Sequence, residues 1–256
     1  MNLYEAVYGR KSIRGYRMEP LNQTVLSGIF IFLEQMEPLF PGIKTRLEIA
    51  DCLSGKNKMR GLFKAEAPYY LLIYSEKREK SQLNAGYIME LISLYLTTKG
   101  VGSCFLGFTK KKHEEEKDGL EFVMAMAFGR PKGSLLRQGY GVKRLSLEEL
   151  CVYKERPKTW VKEILEAARL APSSMNHQPW RFVVYENRIH VFSKLPTNRR
   201  MVLNRFTEFD MGIMLANVMV AAEEIWMDLD LIRLDNITHK SLPNNQYLLS
   251  ILEKTE

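Results

Sequence analysis

AARLAPSSMNHQPWRFVVY, Ala167 to Tyr185, is the stretch whose reading decides the fold. It reads as a helix that stops, a polar turn, and a strand. Val161, Ile164, Leu165 and Ala168 recur at i, i+3, i+4 and i+7, one apolar stripe of a helix beginning near Thr159. Pro172 ends that helix, because its ring removes an amide donor and clashes with the preceding turn. Ser173, Ser174, Asn176, His177 and Gln178 then crowd hydrogen-bonding side chains together before Pro179 and Trp180. Arg181 to Tyr185 is β-rich again. A turn this polar, pinned by two prolines between apolar elements, suits a flat polar ligand. Composition alone is served as well by an ordinary helix-to-strand loop.

The rest of the chain narrows the choice. Its 256 residues, 46% hydrophobic and 11% aromatic, describe a globular protein with a substantial core. Met1 to Arg10 carries Glu5 and no apolar run of the kind a secretory signal needs. The longest apolar stretch, Met211 to Ala222, falls short of the ~20 residues that span a bilayer. Cys52, Cys104 and Cys151 are scattered and form no C-x-x-C pair, which predicts a reduced, cytoplasmic protein with neither disulfide nor zinc. The four histidines show no metal-ligand spacing. Net charge is +7, but Lys and Arg are interleaved with acids along the chain. The densest block, KKKHEEEK (110–117), reads as a solvated surface turn. No helix-turn-helix, zinc finger or RNA-recognition signature occurs, so no nucleic-acid partner is expected. A modest positive field favouring phosphorylated small ligands accounts for the charge.

Coarse periodicity divides the chain near Glu148 to Pro157. The first half predicts helices over 3–8 and 24–35, a strand over 69–74, a long helix over 83–99, a Gly-rich turn, and a strand over 122–128. The second predicts a helix over 160–170, strands over 181–185 and 188–192, and a long helix from Glu208 with Thr207 and Asp210 at capping-box spacing. A strand over 229–234 and a terminal helix over 246–253 complete it. AGYIMELISLYL and MGIMLANVMVAA align without gaps when Gly86 is set on Gly212, an offset of 212 minus 86, or 126, close to half of 256. Both helices are apolar nearly all round, as in a helix buried at the centre of an assembly. A diverged internal repeat, 1–150 and 151–256, is the organisation this suggests. Chance likeness of two buried helices would produce the same letters.

Three short motifs could carry chemistry. RKSIR (Arg10, Lys11, Ser12 and Arg14) sets three cations and a hydroxyl where they could chelate a phosphate; alone, it would be a solvated basic loop. GVGSCFLGF (Gly100 to Phe108) follows a helix and lacks G-x-G-x-x-G, so it is no dinucleotide fingerprint. Its expected role is to stop the helix at Gly100 and bring backbone close to a ligand. Cys104 within it reads as a small buried residue. Lys143 and Arg144 are second-line phosphate candidates. Ser-His-Asp, paired-carboxylate and H-E-x-x-H patterns are absent from the sequence, which points to a borrowed cofactor.

These pieces resemble one family. RKSIRGY resembles the R-R-S-x-R-x-F strip of the FMN-dependent nitroreductases, and APSSMNHQPWRFVV their A-P-S-x-x-N-x-Q-P-W-x-F segment. MGIMLANVMVAA resembles their central dimer helix, and KGVGSCFLGF with FVMAMAFGRP their later glycine turn and following strand. The order departs from one ordinary subunit, since Arg14 and Pro172 are separated by most of the chain. EPLFPGIK (Glu37 to Lys44) stands where the first half should carry its own PSSxN turn, and the second half has no counterpart of RKSIR beyond KERPK.

The resemblance therefore implies an α+β, nitroreductase-like fold in two fused halves that mimic the family homodimer, similar to the fused subgroup. It implies one FMN held between the halves and no need for a second copy of the chain. Arg10, Ser12 and Arg14 would hold the FMN phosphate and pyrimidine side, with Lys11 helping at the phosphate. Pro172, Ser173, Ser174 and Asn176 would contact the flavin, Leu106 and Gly107 would offer backbone near the ring edge, and Lys143 and Arg144 would close on the phosphate. Arg60 and Lys64 are the nearest matches to the family's remaining loop ligands. The implied activity is hydride transfer from NADH or NADPH to FMN, then to a nitroaromatic, quinone or similar acceptor, with no catalytic side chain and no metal. A flavin-binding protein without turnover is the alternative on the same fold.

Overall fold

The computed structural model describes residues 1–55, 57–61, 65–112, 118–137, 143–194, 205–235 and 237–254. The chain divides into two compact units, Met1–Tyr140 and Gly141–Glu256. It is a mixed helix-and-sheet protein, as expected for the α+β class.

The first unit opens with α1 (Leu3–Gly9), started by an Asn2–Glu5 capping box, and α2 (Gln23–Gln35), capped by Asn22. Its sheet is antiparallel throughout, in the order β1 (Thr45–Asp51), β3 (Tyr69–Ser75), β6 (Glu121–Gly129), β4 (Gly102–Leu106). A two-stranded ribbon, β2 (Met59–Gly61) with β5 (Thr109–Lys111), lies beside it. The long helix α3 (Ser81–Thr98) packs on β3, β4 and β6 and is buried along nearly its whole length. Strand residues alternate between faces. Tyr70, Leu72, Tyr74, Cys104, Leu106, Ala125 and Ala127 form one apolar cluster, leaving Leu71 and Ile73 on the other face.

The second unit contains α4 (Leu147–Leu150), α5 (Thr159–Leu170) and the long α6 (Thr207–Glu224). Its sheet runs β10 (Leu229–Ile232), β11 (Asn245–Glu253), β9 (Arg188–Lys194), β8 (Trp180–Val184), β7 (Cys151–Tyr153). Only the β7–β8 pair is parallel. The stripe read from the sequence, Val161, Ile164, Leu165 and Ala168, is fully buried, and Asn217 of α6 donates to Ala167 O at 3.0 Å to fix α5 against α6.

The two units share a strand order. Reading the second sheet from β8 gives β8, β9, β11, β10, which matches β1, β3, β6, β4 pair for pair, every contact antiparallel. The long helix follows the second strand in each, and α3 and α6 both have 18 residues.

Three local expectations are corrected. Residues 246–253 are not a helix but most of β11, an inner strand paired with both β9 and β10. Tyr247, Leu248, Ile251 and Leu252 fit a helical stripe, but a strand there satisfies backbone groups of two neighbours at once. Burial follows: Ile251 is 0% exposed, and Ser250 closes a chain with the His190 ring at 2.6 Å and the Tyr247 hydroxyl at 2.7 Å. Gly100–Phe108 is likewise not simply a turn. Gly100, at φ +75, follows α3 and its backbone amide bonds Thr97 O, but Gly102 begins β4. Finally, α6 begins without a side-chain cap, because Phe206 and not Thr207 is its N-cap, and Asp210 bonds Ser174 instead. Among the described residues no helix is long and apolar enough to cross a membrane.

Truncating the centre of β11 tests the corrected assignment. Ile251→Ala should lower the unfolding free energy by about 2–5 kcal/mol, the range for a fully buried large-to-small change. Urea denaturation reads it, and a loss under about 0.5 kcal/mol, typical of surface sites, contradicts the buried inner strand.

Candidate functional site

In the second unit, the turn between α5 and β8 is held by its own side chains. Pro172 stops α5, and a single 3-10 turn follows at Ser174–Asn176. Met175, Asn176 and Gln178 have φ of 50°, 56° and 48°, left-handed values that cost non-glycine residues roughly 1–3 kcal/mol each. A dense set of bonds offsets that cost. Gln178 N donates to Ser173 Oγ at 2.9 Å, and Leu145 N donates to Gln178 Oε1 at 2.8 Å. Arg144 reaches Asn176 Oδ1 at 2.6 Å through Nη1 and Ala171 O at 3.0 Å through Nε. Asn176 Nδ2 donates to Lys143 O at 2.8 Å. From below, Ser174 gives its amide to both oxygens of Asp210, at 3.1 and 3.0 Å, and its hydroxyl to Oδ1 at 3.2 Å.

Lys143, Arg144, Ser173, Ser174 and Asn176 are thus brought together within one unit. Asn176 and Ser174 have bonds to their own protein, so they shape the turn as well as line it. Ser173 accepts from Gln178 and keeps its hydroxyl hydrogen for another acceptor. Met175, 77% exposed, stands at the tip.

In the first unit, the strip Arg10–Tyr16 lies along the edge of β4. Ser12 pairs with Ser103 as a parallel bridge, and Ile13 N donates to Ser103 O at 2.9 Å. Gly102 permits this approach, since a Cβ there would sit 2.5 Å from Ile13 Cγ1. On its other side the strip bridges Arg10 to Leu136 and Tyr16 to Pro131. Ile13 and Tyr16 enter the core, Lys11 and Ser12 are half-buried, and Arg14 is exposed. Leu106 ends β4, buried, and Gly107 follows it in a turn. Burial pushes the Cys104 thiol up, with Arg14, Arg10 and Ser12 acting against it, so it is a packed thiol and no ready nucleophile.

Arg10 is only 2% exposed. Its Nε lies 3.8 Å from Oε1 of Glu90, which is 0% exposed on α3. That separation is close enough for ion pairing but too long for a hydrogen bond. Nε and Nη2 of Arg10 are buried without a hydrogen-bond partner among the described residues. A guanidinium carries five donors in a fixed fork, so the geometry leaves capacity for an anionic ligand.

The remaining candidates do not join these sets. Arg60 lies exposed on β2, in register with Lys110, and Lys64 lies outside the described residues, as do 113–117 of the charge block. Among the described residues no group of three or more His, Cys, Asp or Glu could hold a metal ion.

Sequence reasoning missed Asp210, Glu90 and Gln178. Their signal was present: Asp210 and Glu90 are acids inside helices apolar on almost every face, where a charge needs a partner. Gln178 was read as part of a polar crowd, although it braces the turn from both ends.

Two units, each with a sheet that shares one antiparallel four-strand order and a long buried helix, define a nitroreductase-like α+β protein. A sequence profile of the family described as "Putative TM nitroreductase" matches residues 2–222, and the chain belongs to that family. Among solved structures, the chain is similar to a putative nitroreductase from Thermotoga maritima, with 19% identity, 99% of this chain and 94% of that one covered, and a TM-score of 0.67. A nitroreductase with bound FMN from Desulfitobacterium hafniense matches at 12% identity, covering 55% of this chain and 95% of its own, with a TM-score of 0.42. An FMN-dependent nitroreductase from Clostridium difficile R20291 matches at 14%, covering 56% and 99%, with a TM-score of 0.43. Among curated proteins none matches.

The buried pair provides a check on the strip. Glu90→Ala strands the Arg10 charge in the core and should cost about 3–5 kcal/mol of stability. Chemical denaturation measures it; a cost under about 1 kcal/mol shows that Arg10 is compensated by other means.

Proposed function

We propose that this protein is an FMN-dependent oxidoreductase of nitroreductase type that takes reducing equivalents from NADH or NADPH. The observation that carries the reading is Arg10, a buried guanidinium at the head of the strip that also holds Ser12 and Arg14, with two donors that have no hydrogen-bond partner among the described residues. Family membership supplies the class of activity, and the residues present fit an anionic, planar group. Arg10, Lys11, Ser12 and Arg14 would bind its phosphate and pyrimidine side, and Leu106 and Gly107 would lie near the ring edge. Pro172, Ser173, Ser174 and Asn176 would present the strained turn, with Lys143 and Arg144 bracing it and adding positive charge.

When bound, FMN would supply the two-electron redox chemistry between the nicotinamide and a nitroaromatic, quinone or similar acceptor. The chain's own part is electrostatic and steric. Fixed cations favour negative charge on the group they hold, and rigid donors incur no reorganisation cost when that charge appears. The turn's internal bonds keep its surface in one shape, which preserves orientation for a stacked acceptor. No side chain need form a covalent bond.

The shared strand order of the two units supports an internal duplication, and with it one FMN per chain, since the strip occurs only in the first unit and the PSSMN turn only in the second. A chain built this way needs no second copy, and a cytoplasmic setting with a reduced pool of nicotinamide suits the three free cysteines.

Purified protein should bind one equivalent of FMN, and anaerobic NADH or NADPH should bleach its absorbance. Bound flavin that stays oxidised makes the protein a flavin carrier without turnover, and no binding removes both readings. Two flavins per chain would contradict the one-site argument. Arg14→Ala, at an exposed position, should weaken FMN binding roughly 10- to 100-fold, as expected for one charge-assisted hydrogen bond. Unchanged affinity refutes that assignment.

A further inference from the structure

We infer that Asp210 is a positioning residue that decides whether the Ser174 hydroxyl offers a ligand its hydrogen or a lone pair. The inference rests on the turn being a flavin contact, and extends that reading to a residue outside the turn.

Asp210 is 2% exposed, and its two oxygens face Ser174 alone among the hydrogen bonds of the described residues. A carboxylate can only accept, whereas a carboxylic acid carries one O–H that donates. With Asp210 ionised, Ser174 must spend its single hydroxyl hydrogen on Oδ1, which leaves only lone pairs for anything bound at the turn. With Asp210 neutral, the acid donates to Ser174 Oγ and the serine hydrogen is released outward. The Ser174 amide has an acceptor in both cases, because the second carboxyl oxygen remains available. The turn therefore keeps its shape while its hydrogen-bonding sign changes.

The balance lies near neutrality. Burial raises the Asp210 carboxyl to about 8, against the lowering effect of the Ser174 amide and hydroxyl. Charged and titratable groups on the elements packed around it are few. On its own helix Glu208 stands two residues away, and Glu223 and Glu224 lie at the far end. On α5, Lys162 and Glu163 lie in its first half, and Glu166 and Arg169 pair with each other at 2.8 Å. On the turn stands His177, and Arg144 meets the turn at Asn176 and Ala171.

The first unit holds the matching arrangement with a neutral group. Asn84, like Asp210, is the fourth residue of its long helix, and its Oδ1 accepts the Phe40 amide at 2.9 Å. Phe40 and Ser174 each lie two residues after a proline, Pro38 and Pro172. A carboxamide at this position therefore holds the loop without ionising. A carboxylate is not needed for anchoring, and Asp210→Asn should fold.

Asp210→Asn fixes the sign. Its amide nitrogen donates to Ser174 Oγ and its oxygen accepts the Ser174 amide, so the variant imitates the neutral acid at every pH. The ratio of FMN affinities of wild type and variant, read by flavin fluorescence, should change roughly 5- to 10-fold between about pH 6 and pH 9, the worth of one neutral hydrogen bond. The variant should match the wild type at the acid end, and titration of the FMN phosphate, common to both proteins, cancels in the ratio. A ratio that stays constant across the range overturns the inference.

A second measurement needs no flavin. A carboxyl raised from 3.8 to about 8 on folding keeps its proton in the native state over that interval while the unfolded chain has lost it. Stability from this group is therefore full at the acid end and falls as pH rises toward 8, then levels. The stability difference between wild type and Asp210→Asn, taken from urea denaturation of flavin-free protein, should follow that course. A pH-independent difference overturns the inference on its own, whereas failure to bind FMN at any pH overturns the flavin reading.

Discussion

Ser174 gives both of its donors to a carboxyl group buried inside a helix with almost no solvent face, and that arrangement exposes the constraint on which each unit is built. A helix covered on all sides cannot hydrate a polar side chain, and leaving one unsatisfied costs several kcal/mol. Five such groups in α3 and α6 have recruited a specific segment, whereas Thr97 bonds back to Ser93 O within its own helix. Asn84 takes the Phe40 amide, Glu90 attracts Arg10, Ser93 meets Ser103 at 2.9 Å, Asp210 takes Ser174, and Asn217 takes Ala167. These contacts fix where the strip, the edge strand and the loops after α2 and α5 are tied down. The apolar residues bury area without direction; the embedded polar groups supply the addresses.

The same logic explains why the strip and the turn are ordered differently. The strip borrows order from a sheet edge, with Gly102 opening the space for Ile13 and Ser103 providing main-chain bonds. The turn has no strand to follow. Its left-handed residues are held by side chains, with Gln178, Arg144 and Asp210 acting as braces from three directions. One set of ligand candidates is thus rigid because its backbone is paired, the other because its side chains are mutually committed. Commitment has a chemical consequence: the hydrogen-bonding direction that Asn176 and Ser174 would present to a ligand is set by their partners in the protein.

Much of the fold was legible because its elements have strong periodicity. The α5 stripe, the two long apolar helices and the strands at β3, β6, β8 and β9 follow from spacing alone. What was lost had ambiguous local chemistry. Residues 246–253 carry leucines and polar residues that serve a helix as well as a strand, and only pairing with β9 and β10 decides. Gly102 was read only as part of a Gly-rich turn that stops the helix and brings backbone close to a ligand, whereas it begins a strand and lets Ile13 of the strip approach. The site was legible where residue types cluster, as in Arg10 to Arg14 and Pro172 to Gln178. It was illegible where one residue acts over distance, since nothing in the neighbourhood of Asp210 says that it will meet Ser174.

The comparison of Asn84 with Asp210 shows what anchoring alone requires. Both occupy one helix position, both accept an amide from a loop two residues past a proline, and both are buried. Asparagine performs that task without an ionisation cost, so a carboxyl group gains nothing as an anchor and is the harder group to bury. The two loops differ in what else they bring: Phe40 offers only its amide, whereas Ser174 adds a hydroxyl that can turn either way. An acid is worth burying where its proton can redirect a second group, and the unit with the serine is the one that has it.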